Sequence, residues 1–318
     1  MKRVLCAVFA ALAAAGAQAQ DYPTRTIRLV VPLTTGAGAD IAARIIAQRM
    51  SEHWKQPVIV DNRPGAGGQI GTSAVVKAEP DGHTLLVQSS SHSANSAIYR
   101  NLPYDPLKDL VDVAILGKTP YVLVSAGNGP YRSLKALIEA AKAKPGELAF
   151  SSAGMGTSTH LAAEYLIGLA GVRMIHVPFK GSPEALQDVL GGRSAFYMAP
   201  VNVALGLLKD GKLQALGVST RTRAEVLPQV PTLAEQGLPD YEVTLWFGLW
   251  APAGTPAAVV EKLDEAVRTV LASPELGQAA ALQGAVPAYA PPAQLATLLA
   301  KESADWAGII KAQKISGG

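Results

Sequence analysis

Apolar residues in this chain follow two patterns that alternate along its length. Ile27 to Val31 is a short continuous apolar run, and it is followed by apolar residues spaced three or four apart. The run predicts a buried strand, and the spacing predicts an amphipathic helix. Leu33 to Ala39, a stretch of Gly and Thr, is then the turn between them. The residues at helical spacing are Ile41, Ala42, Ile45, Ile46 and Met50.

The same alternation continues and predicts an α/β fold. Strands are expected at Pro57 to Asp61 and His83 to Val87, with a helix at Gln69 to Ala78 between them. This order favours a mostly parallel sheet with helices on both faces, where ligands lie beyond the carboxyl ends of the strands. The loops to watch are therefore Leu33 to Asp40, Asn62 to Gly68 and Gln88 to Asn95.

The opening pattern returns in the second half. Leu148 to Ser151 predicts a strand, Ser152 to Thr157 a second glycine turn, and Ser158 to Ala170 a helix. Further strands and helices complete a second α/β lobe up to about Val218. Between the lobes we expect two separate apolar segments, Val111 to Leu116 and Tyr121 to Val124.

The C-terminal part is predicted to be helical. Thr255 is expected to cap a helix from Ala257 to Leu271, followed by helices at Ser273 to Gln283 and Pro292 to Lys311. We expect no strand among them and place them on the first lobe. Two α/β lobes joined by at least two crossings suggest a cleft that closes on a small ligand.

The first 19 residues read as a secretory signal peptide cleaved after Ala19. Lys2 and Arg3 are followed by an apolar run too short to span a bilayer, and Ala17-Gln18-Ala19 is a small-residue cleavage pattern. Cleavage removes Cys6, which is the only cysteine, and leaves 26 basic against 25 acidic residues, a formal charge of +1. This near-neutral charge argues against nucleic acid as a partner.

Both glycine turns precede helices whose first N–H groups have no acceptor within the helix, and such turns attract anions. Each turn is equally compatible with an ordinary strand–helix connection. Neither has dinucleotide-binding spacing, and P-loop, G-x-S-x-G and H-E-x-x-H motifs are absent from the sequence. We therefore expect no cofactor, no metal and no catalytic residues.

Several side chains near the turns have two possible roles. His92 and His160 either donate to a ligand carboxylate or brace their own loops, and bracing is favoured for His160. The serines of the third loop line a pocket or simply belong to a turn. Phe179, Tyr197 and Trp246 are pocket walls or, more commonly for aromatic residues, core. Arg193 precedes a strand, at the end away from the cleft, and is therefore not counted among the candidate anion-binding residues.

Seven blocks of the sequence, in order, resemble the substrate-binding proteins of tripartite tricarboxylate transporters, also called the Bug family. The resemblance covers Tyr22 to about Lys311. The blocks are IRLVVPLTTGAGADIAAR, PVIVDNRPGAGGQIG, PDGHTLL, NLPYDPLKDL, SSAGMGTSTHLAAE, HVPFKGSPEALQDVLGG and WFGLWAPAGTP.

The resemblance implies a two-lobed periplasmic binding protein, type II-like, with its ligand in the cleft between the lobes. Residues 20–122 and 245–318 would form the first lobe and residues 123–244 the second. Such proteins hold a carboxylate with backbone N–H groups of the two glycine turns and with ordered water. The residues expected to bind the ligand are Leu33, Thr34, Thr35, Gly36, Ala37, Gly38, Ser90, His92, Ser152, Gly154, Met155, Gly156, Thr157, Ser158, Phe179, Met198 and Ala199.

The chain departs from the family pattern at two places. Thr34 and Thr35 replace two prolines in the first turn, and Ala199 and Pro200 stand where an Asp-Asn pair commonly faces the cleft. Without that acid, a ligand ammonium group would be buried unpaired, which costs several kcal/mol. We therefore expect a carboxylate ligand with no amino group, an aromatic dicarboxylate such as terephthalate first and an aliphatic dicarboxylate next.

The function expected from these features is periplasmic capture of an organic carboxylate by a monomer and its delivery to a tripartite-type membrane transporter. An exported α/β enzyme with His92 or His160 as base is an alternative. A receptor that signals to a sensor partner is another, and the sequence does not separate it from the first.

Overall fold

The structure, a computed structural model, describes residues 22–99, 101–282, 284–313 and 315. The predicted signal peptide, with Cys6 and its cleavage position, lies outside the described residues. None of the described helices is both long enough and apolar enough to cross a membrane.

The first sheet is built from the N-terminal strands and from two strands that return late in the chain. Its order is β2-β1-β3-β9-β4-β10, with β1, β2 and β3 mutually parallel and β4, β9 and β10 antiparallel to their neighbours. These strands are β1 (Ile27–Val31), β2 (Val58–Asn62), β3 (Thr84–Ser89), β4 (Leu110–Ala126), β9 (Thr244–Pro252) and β10 (Val286–Ala290).

The second sheet has the order β8-β4-β7-β5-β6 and shares β4 with the first. Its other strands are β5 (Ala149–Ser152), β6 (Ile175–Pro178), β7 (Phe196–Pro200) and β8 (Leu213–Val218). We call the first sheet with its helices the first unit, and the second sheet with its helices the second unit. The α/β class predicted from the alternating pattern is confirmed. The sheets are mixed rather than mostly parallel, because the pairings of β4 and β9 are antiparallel.

Helices cover both sheets. They are α1 (Gly38–Trp54), α2 (Gln69–Val76), α3 (Asn95–Ile98), α4 (Leu134–Ala143), α5 (Ser158–Ala170), α6 (Ser182–Leu190), α7 (Val201–Lys209), α8 (Ala257–Leu271), α9 (Pro274–Leu282) and α10 (Pro292–Gln313). Two 3-10 helices, Ala66–Gly68 and Ser90–Ala94, lie in loops that follow β2 and β3. Helix α8 packs on α1, and α10 packs on the Ser90–Ala94 helix, both in the first unit, while α10 also contacts α5 of the second unit.

The expectation of two segments around Gly117 to Pro120 is wrong, because β4 is one strand of 17 residues. The Gly-Lys-Thr-Pro stretch stays extended since it pairs with β9 throughout, with Lys118 opposite Trp246 and Pro120 opposite Thr244. From Tyr121 onwards, the partners of β4 are β7 and β8. Pairing with distant strands therefore overrides a local turn signal.

Two expectations for the C-terminal part are also wrong. A strand, β10, lies between the helices and pairs with β4, an arrangement that its Pro287 tolerates at a sheet edge. Thr255 does not cap α8: the N-cap position is Pro256, and the Thr255 hydroxyl donates back to the Pro252 carbonyl at 2.8 Å.

Candidate functional site

The two glycine turns have the same internal hydrogen bond. The Gly36 N–H donates to Asp40 Oδ2 at 2.8 Å, and the Gly156 N–H donates to His160 Nδ1 at 3.2 Å. Both glycines have left-handed backbone angles, with φ of 83° and 72°. The acceptor lies four residues later in each case, so a side chain of the following helix closes each turn.

Free N–H groups remain one step further along each turn. Helix α1 begins at Gly38 and its first intrahelical bond runs from Ile41 to the Ala37 carbonyl, while in α5 the bond from Leu161 to Thr157 is the first. The N–H groups of residues 38–40 and 158–160 precede those bonds and are oriented outward along the helix axes. Together with the helix dipoles they favour an anion.

The charge of Asp40, at the start of α1, is compensated locally. Its carboxylate is 1% exposed and bonds to Arg44 at 3.0 Å and to the Asn62 side-chain amide at 2.9 Å. Burial alone would raise the pKa of Asp40, but the Arg44, Gly36 and Asn62 hydrogen bonds together lower it. The acid predicted for this position is therefore an ionised part of the turn.

A group of buried hydroxyls, which we call the hydroxyl chamber, lies where the two units meet. It consists of Ser90 from the loop after β3, Tyr121 from β4 and Ser158 from the start of α5. Tyr121 is fully buried, and burial raises the pKa of its phenol, while the neighbouring hydroxyls of Ser158 and Ser90 lower it. No hydrogen bond to the Tyr121 hydroxyl closes within the described part of the chain. An unpartnered buried hydroxyl of this kind points to a ligand or an ordered water.

The end of β7 faces the first turn. A Cβ placed on Gly38 would lie 3.4 Å from Pro200 Cβ, 3.4 Å from Asn202 Oδ1 and 3.3 Å from the Phe247 ring. Asn202 also donates to the Gly38 carbonyl at 3.4 Å. Ala199, by contrast, lies with Tyr197 in the core against α7, and Met198 lies in the main core. Pro200, rather than Ala199, thus stands beside the N-terminus of α1.

Besides the bond from Asn202 to Gly38, further hydrogen bonds join the units across the cleft. The Tyr99 hydroxyl donates to the Met155 carbonyl at 2.6 Å, the Thr34 hydroxyl donates to Glu184 Oε2 at 3.1 Å, and the Thr34 N–H donates to the Lys180 carbonyl at 3.3 Å. Gly67 packs directly against the contact between Tyr99 and Met155, and no side chain fits at its position because a Cβ there would overlap both residues. The structure therefore shows the cleft closed.

A cavity of about 470 Å³ remains at the mouth of the closed cleft. Its walls come from both glycine turns and from the loops that follow β2 and β6. Among its lining residues are Leu33, Gly67, Gly154, Met155, Phe179 and Lys180. Leu33, Gly154, Met155 and Phe179, four residues predicted from the sequence, are thus brought together.

Several predicted side chains bond to their own loop or to a neighbouring strand. His92 is fully buried, its Nε2 lies 3.2 Å from the Pro106 carbonyl and its ring packs on Trp250. Ser152 Oγ lies 2.6 Å from His176 Nε2, and the Thr157 hydroxyl donates to the Gly154 carbonyl at 2.7 Å. Thr35 bonds to Asn62 at 3.2 Å. These contacts give all four side chains a bracing role.

Sequence reasoning missed Tyr121, Tyr99 and Asn202. Tyr121 sits in an apolar run that reads as core, and its hydroxyl becomes notable only beside Ser90 and Ser158. Tyr99 and Asn202 act across the cleft, on backbone carbonyls that no sequence motif marks. A polar tip on an otherwise core-like aromatic residue is the one signal that was available for Tyr121.

Comparison with known proteins gives a consistent picture. Residues 42–315 match the family described as tripartite tricarboxylate transporter family receptor. The protein BugT of Bordetella pertussis is 37% identical over 317 residues, 98% of this chain and 97% of its own length. An R. palustris protein solved with adipate has a TM-score of 0.90 at 35% identity, covering 93% of this chain and 99% of its own. MatC from Rhodopseudomonas palustris, with bound malate, has a TM-score of 0.86 at 33% identity, covering 91% of this chain and all of its own.

Proposed function

Because this chain belongs to the tripartite tricarboxylate transporter receptor family, we propose that it captures one small organic carboxylate in the periplasm and delivers it to a transporter of that type. The family consists of solute-binding receptors, and a binding role without catalysis is the simplest interpretation of the site.

The observation that carries the proposal is the hydroxyl chamber beside the N-terminus of α5. Its three side chains are uncharged, and the Tyr121 hydroxyl has no partner among the described residues. A carboxylate accepts hydrogen bonds from such hydroxyls and from helix N–H groups, and closure of the cleft removes it from water. Affinity would then come from donors already held in position before the ligand arrives.

The class of carboxylate follows from what faces the first turn. Pro200 and Phe247 present apolar surface there, and the three side chains of the chamber are uncharged. Glu302, whose charge acts on Tyr121, already bonds to Trp246 and Ser93. An amino acid would have to bury its ammonium group without a partner, which is costly. We propose a dicarboxylate without an amino group, aromatic as in terephthalate first and aliphatic second. Adipate and malate, found with two similar proteins, belong to the aliphatic class.

A melting experiment tests the proposal. The chain from residue 20 is heated alone and with terephthalate, phthalate, adipate, succinate, malate, benzoate, glutamate and aspartate. A ligand at a hundredfold excess over its Kd adds about 2.7 kcal/mol to the free energy of unfolding, which is readily seen as a rise in melting temperature. A rise with a dicarboxylate and none with the two amino acids is expected. A rise with glutamate or aspartate alone would overturn the ligand class, and none with any acid would overturn the carboxylate receptor.

One contact bears on the enzyme alternative. Ser152 Oγ and His176 Nε2 are 2.6 Å apart, a distance seen in nucleophile–base pairs. However, Ser152 is fully buried and also bonds to the Gly154 N–H at 3.0 Å and to the Gly154 carbonyl at 3.1 Å. We therefore propose that the pair braces the second turn. Recovery of the bound acid unchanged, as judged by NMR after prolonged incubation, is the expected result, and any conversion would favour the enzyme.

A further inference from the structure

The C-terminal helix α10 is hydrogen-bonded to the loop that carries Ser90. Ser303 Oγ donates to the Ser93 carbonyl at 2.7 Å, and Glu302 Oε2 lies 3.3 Å from the Ser93 hydroxyl. The other carboxyl oxygen, Oε1, accepts a hydrogen bond from the Trp246 indole at 2.8 Å. Two residues of one helix turn thus hold a single serine.

Ser93 has a single hydroxyl proton but two neighbouring oxygen atoms that could accept it, the Ser90 carbonyl and Glu302 Oε2. The Ser93 oxygen lies 2.6 Å from the Ser90 carbonyl, which can only accept, so the single hydroxyl proton is needed there. An ionised Glu302 can only accept the Ser93 proton, whereas a protonated Glu302 can itself donate to the Ser93 oxygen and leave the Ser93 proton on the Ser90 carbonyl. If Glu302 is ionised, its Oε2 and the Ser90 carbonyl compete for one proton, and one of the two contacts is lost.

Glu302 is also coupled electrostatically to the chamber. Its negative charge is one of the factors that raise the pKa of the Tyr121 phenol, after burial as the main cause. The same charge would repel an anion bound beside Tyr121, Ser90 and Ser158. Protonation of Glu302 removes that repulsion and keeps Ser93 bonded to the Ser90 loop, so both effects favour anion binding in the same protonation state.

We propose that Glu302 is a positioning residue for the ligand site, and that binding of a carboxylate is linked to protonation of Glu302 through Ser93. The proposal rests on the proposed function for its ligand, although its first step, the control of the Ser90 loop by Glu302, does not need a ligand. It goes beyond ligand capture, because it makes the affinity of the site depend on pH.

The surroundings of Glu302 place its titration in the neutral range. Burial raises its pKa to about 7, against smaller lowering effects of the Trp246 and Ser93 hydrogen bonds. On its own helix, Lys301 lowers the pKa and Asp305 raises it. On the elements packed nearby, His92 has a pKa lowered by burial to about 4, and burial raises the pKa of Asp112, which bonds to Trp250 at 2.7 Å. Between pH 6 and 8, His92 therefore stays neutral while Glu302 changes charge.

The binding test compares Kd at pH 6 and pH 8 by titration calorimetry, with the strongest dicarboxylate of the melting panel as probe. If only the protonated form binds well, wild-type affinity falls about ten-fold over this range. E302Q, whose amide can donate to Ser93 and accept from Trp246, should bind equally at both values. E265Q, which changes an exposed glutamate on α8, is the matched control and should keep the wild-type difference. Wild-type affinity that does not change with pH, or an unchanged pH dependence in E302Q, overturns the proposal.

A second test needs no ligand and remains decisive if no acid on the panel binds. Hydrogen exchange of the amides in residues 90–95 is measured at pH 6 and pH 8 and corrected for the intrinsic pH effect. We expect at least three-fold more protection at pH 6 in the wild type and no difference in E302Q. S93A, which removes the hydroxyl between Glu302 and the Ser90 carbonyl but leaves α10 unchanged, should lose the extra protection at pH 6. Equal protection at both pH values in the wild type overturns the coupling, independently of whether a carboxylate is the ligand.

Discussion

The Tyr99 hydroxyl of the first unit donates a 2.6 Å hydrogen bond to the Met155 carbonyl of the second unit. Both residues lie in loops at the mouth of the cleft, and Met155 belongs to the second glycine turn. The bond can exist only when the units are close together. It therefore stabilises the closed form without touching the hydroxyl chamber.

Removing this hydroxyl should speed ligand release. In Y99F the closed form loses one hydrogen bond of about 0.5–1.5 kcal/mol, so the dissociation rate should rise roughly two- to ten-fold while the association rate changes little. Stopped-flow fluorescence with a panel dicarboxylate measures both rates. The control is Y165F, whose hydroxyl bonds to the Asp240 carbonyl within the second unit and should not matter. An unchanged dissociation rate in Y99F would contradict this role.

Adding one methyl group at Gly67 should keep the cleft open. A Cβ there would overlap Tyr99 and the Met155 carbonyl, so G67A should bind at least ten-fold more weakly and have a larger radius of gyration in X-ray scattering. Gly67 has φ of 61°, and alanine there costs about 1 kcal/mol in backbone strain as well. G146A is matched for that strain, since φ is 79° and a Cβ there meets nothing within 4 Å. Equal binding by G67A and G146A would refute the prediction.

The Tyr121 hydroxyl should affect stability and binding in opposite directions. Without a ligand it is buried and unpartnered, so Y121F should raise the free energy of unfolding by about 0.5–1 kcal/mol. With a carboxylate bound, the lost donor should raise Kd roughly five-fold. Urea unfolding and calorimetry measure the two effects. The Tyr241 hydroxyl donates to the Ala162 carbonyl at 2.8 Å, so the free energy of unfolding of Y241F should instead fall by about 1 kcal/mol, with normal ligand binding. A less stable Y121F would show that water already satisfies the hydroxyl.

Mild acid should destabilise the second unit through His176. Burial and the nearby His160 lower the pKa of His176 to about 3, whereas a histidine in the unfolded chain titrates near 6.5. The unfolded state therefore binds more protons between these values, and stability falls as the pH drops below about 6.5. We expect His176 to account for a loss of about 1–2 kcal/mol in the free energy of unfolding from pH 6.5 to 5. In H176Q the loss should be smaller by this amount, while the contribution of buried His92, whose pKa is about 4, remains.

Melting curves from pH 5 to 7 check this difference in slope. Glu302 acts in the opposite sense over part of the range, because its raised pKa makes the folded state bind the extra proton. For that reason the slopes of variants are compared rather than the wild-type slope alone. H53Q, at an exposed position of α1, should keep the wild-type slope. The same slope in H176Q as in the wild type would contradict this role of His176.

Local periodicity was enough to predict the strand–turn–helix elements around both glycine turns. Each of those elements is specified by neighbouring residues, such as the apolar run of β1 and the helical spacing of α1. The joining of β4 into one strand and the existence of β10 depend on partners more than 100 residues away, and no local pattern contains that information.

The candidate site shows the same division. The glycine turns and Ser90 were predicted as ligand-binding because their residue types favour turns and anion binding. The pairing of Gly36 with Asp40 and of Gly156 with His160 removes two amides from the predicted set, and this depends on side-chain rotamers that a sequence does not reveal. Tyr121 was missed because burial of its ring and the isolation of its hydroxyl are separate properties of the folded chain.

The continuity of β4 determines how the protein can move. A flexible linker between the units would allow any angle, but β4 is hydrogen-bonded to β9 up to Pro120 and to β7 and β8 from Tyr121. We therefore expect rotation of one unit against the other to bend β4 near the Pro120–Tyr121 junction. Because β4 is hydrogen-bonded on both sides of this junction, large rotation angles should be resisted. Tyr121, whose buried hydroxyl has no hydrogen-bond partner among the described residues, is also the first residue after that junction. We therefore expect the ligand contact at Tyr121 and the bending of β4 to lie at neighbouring positions of one strand.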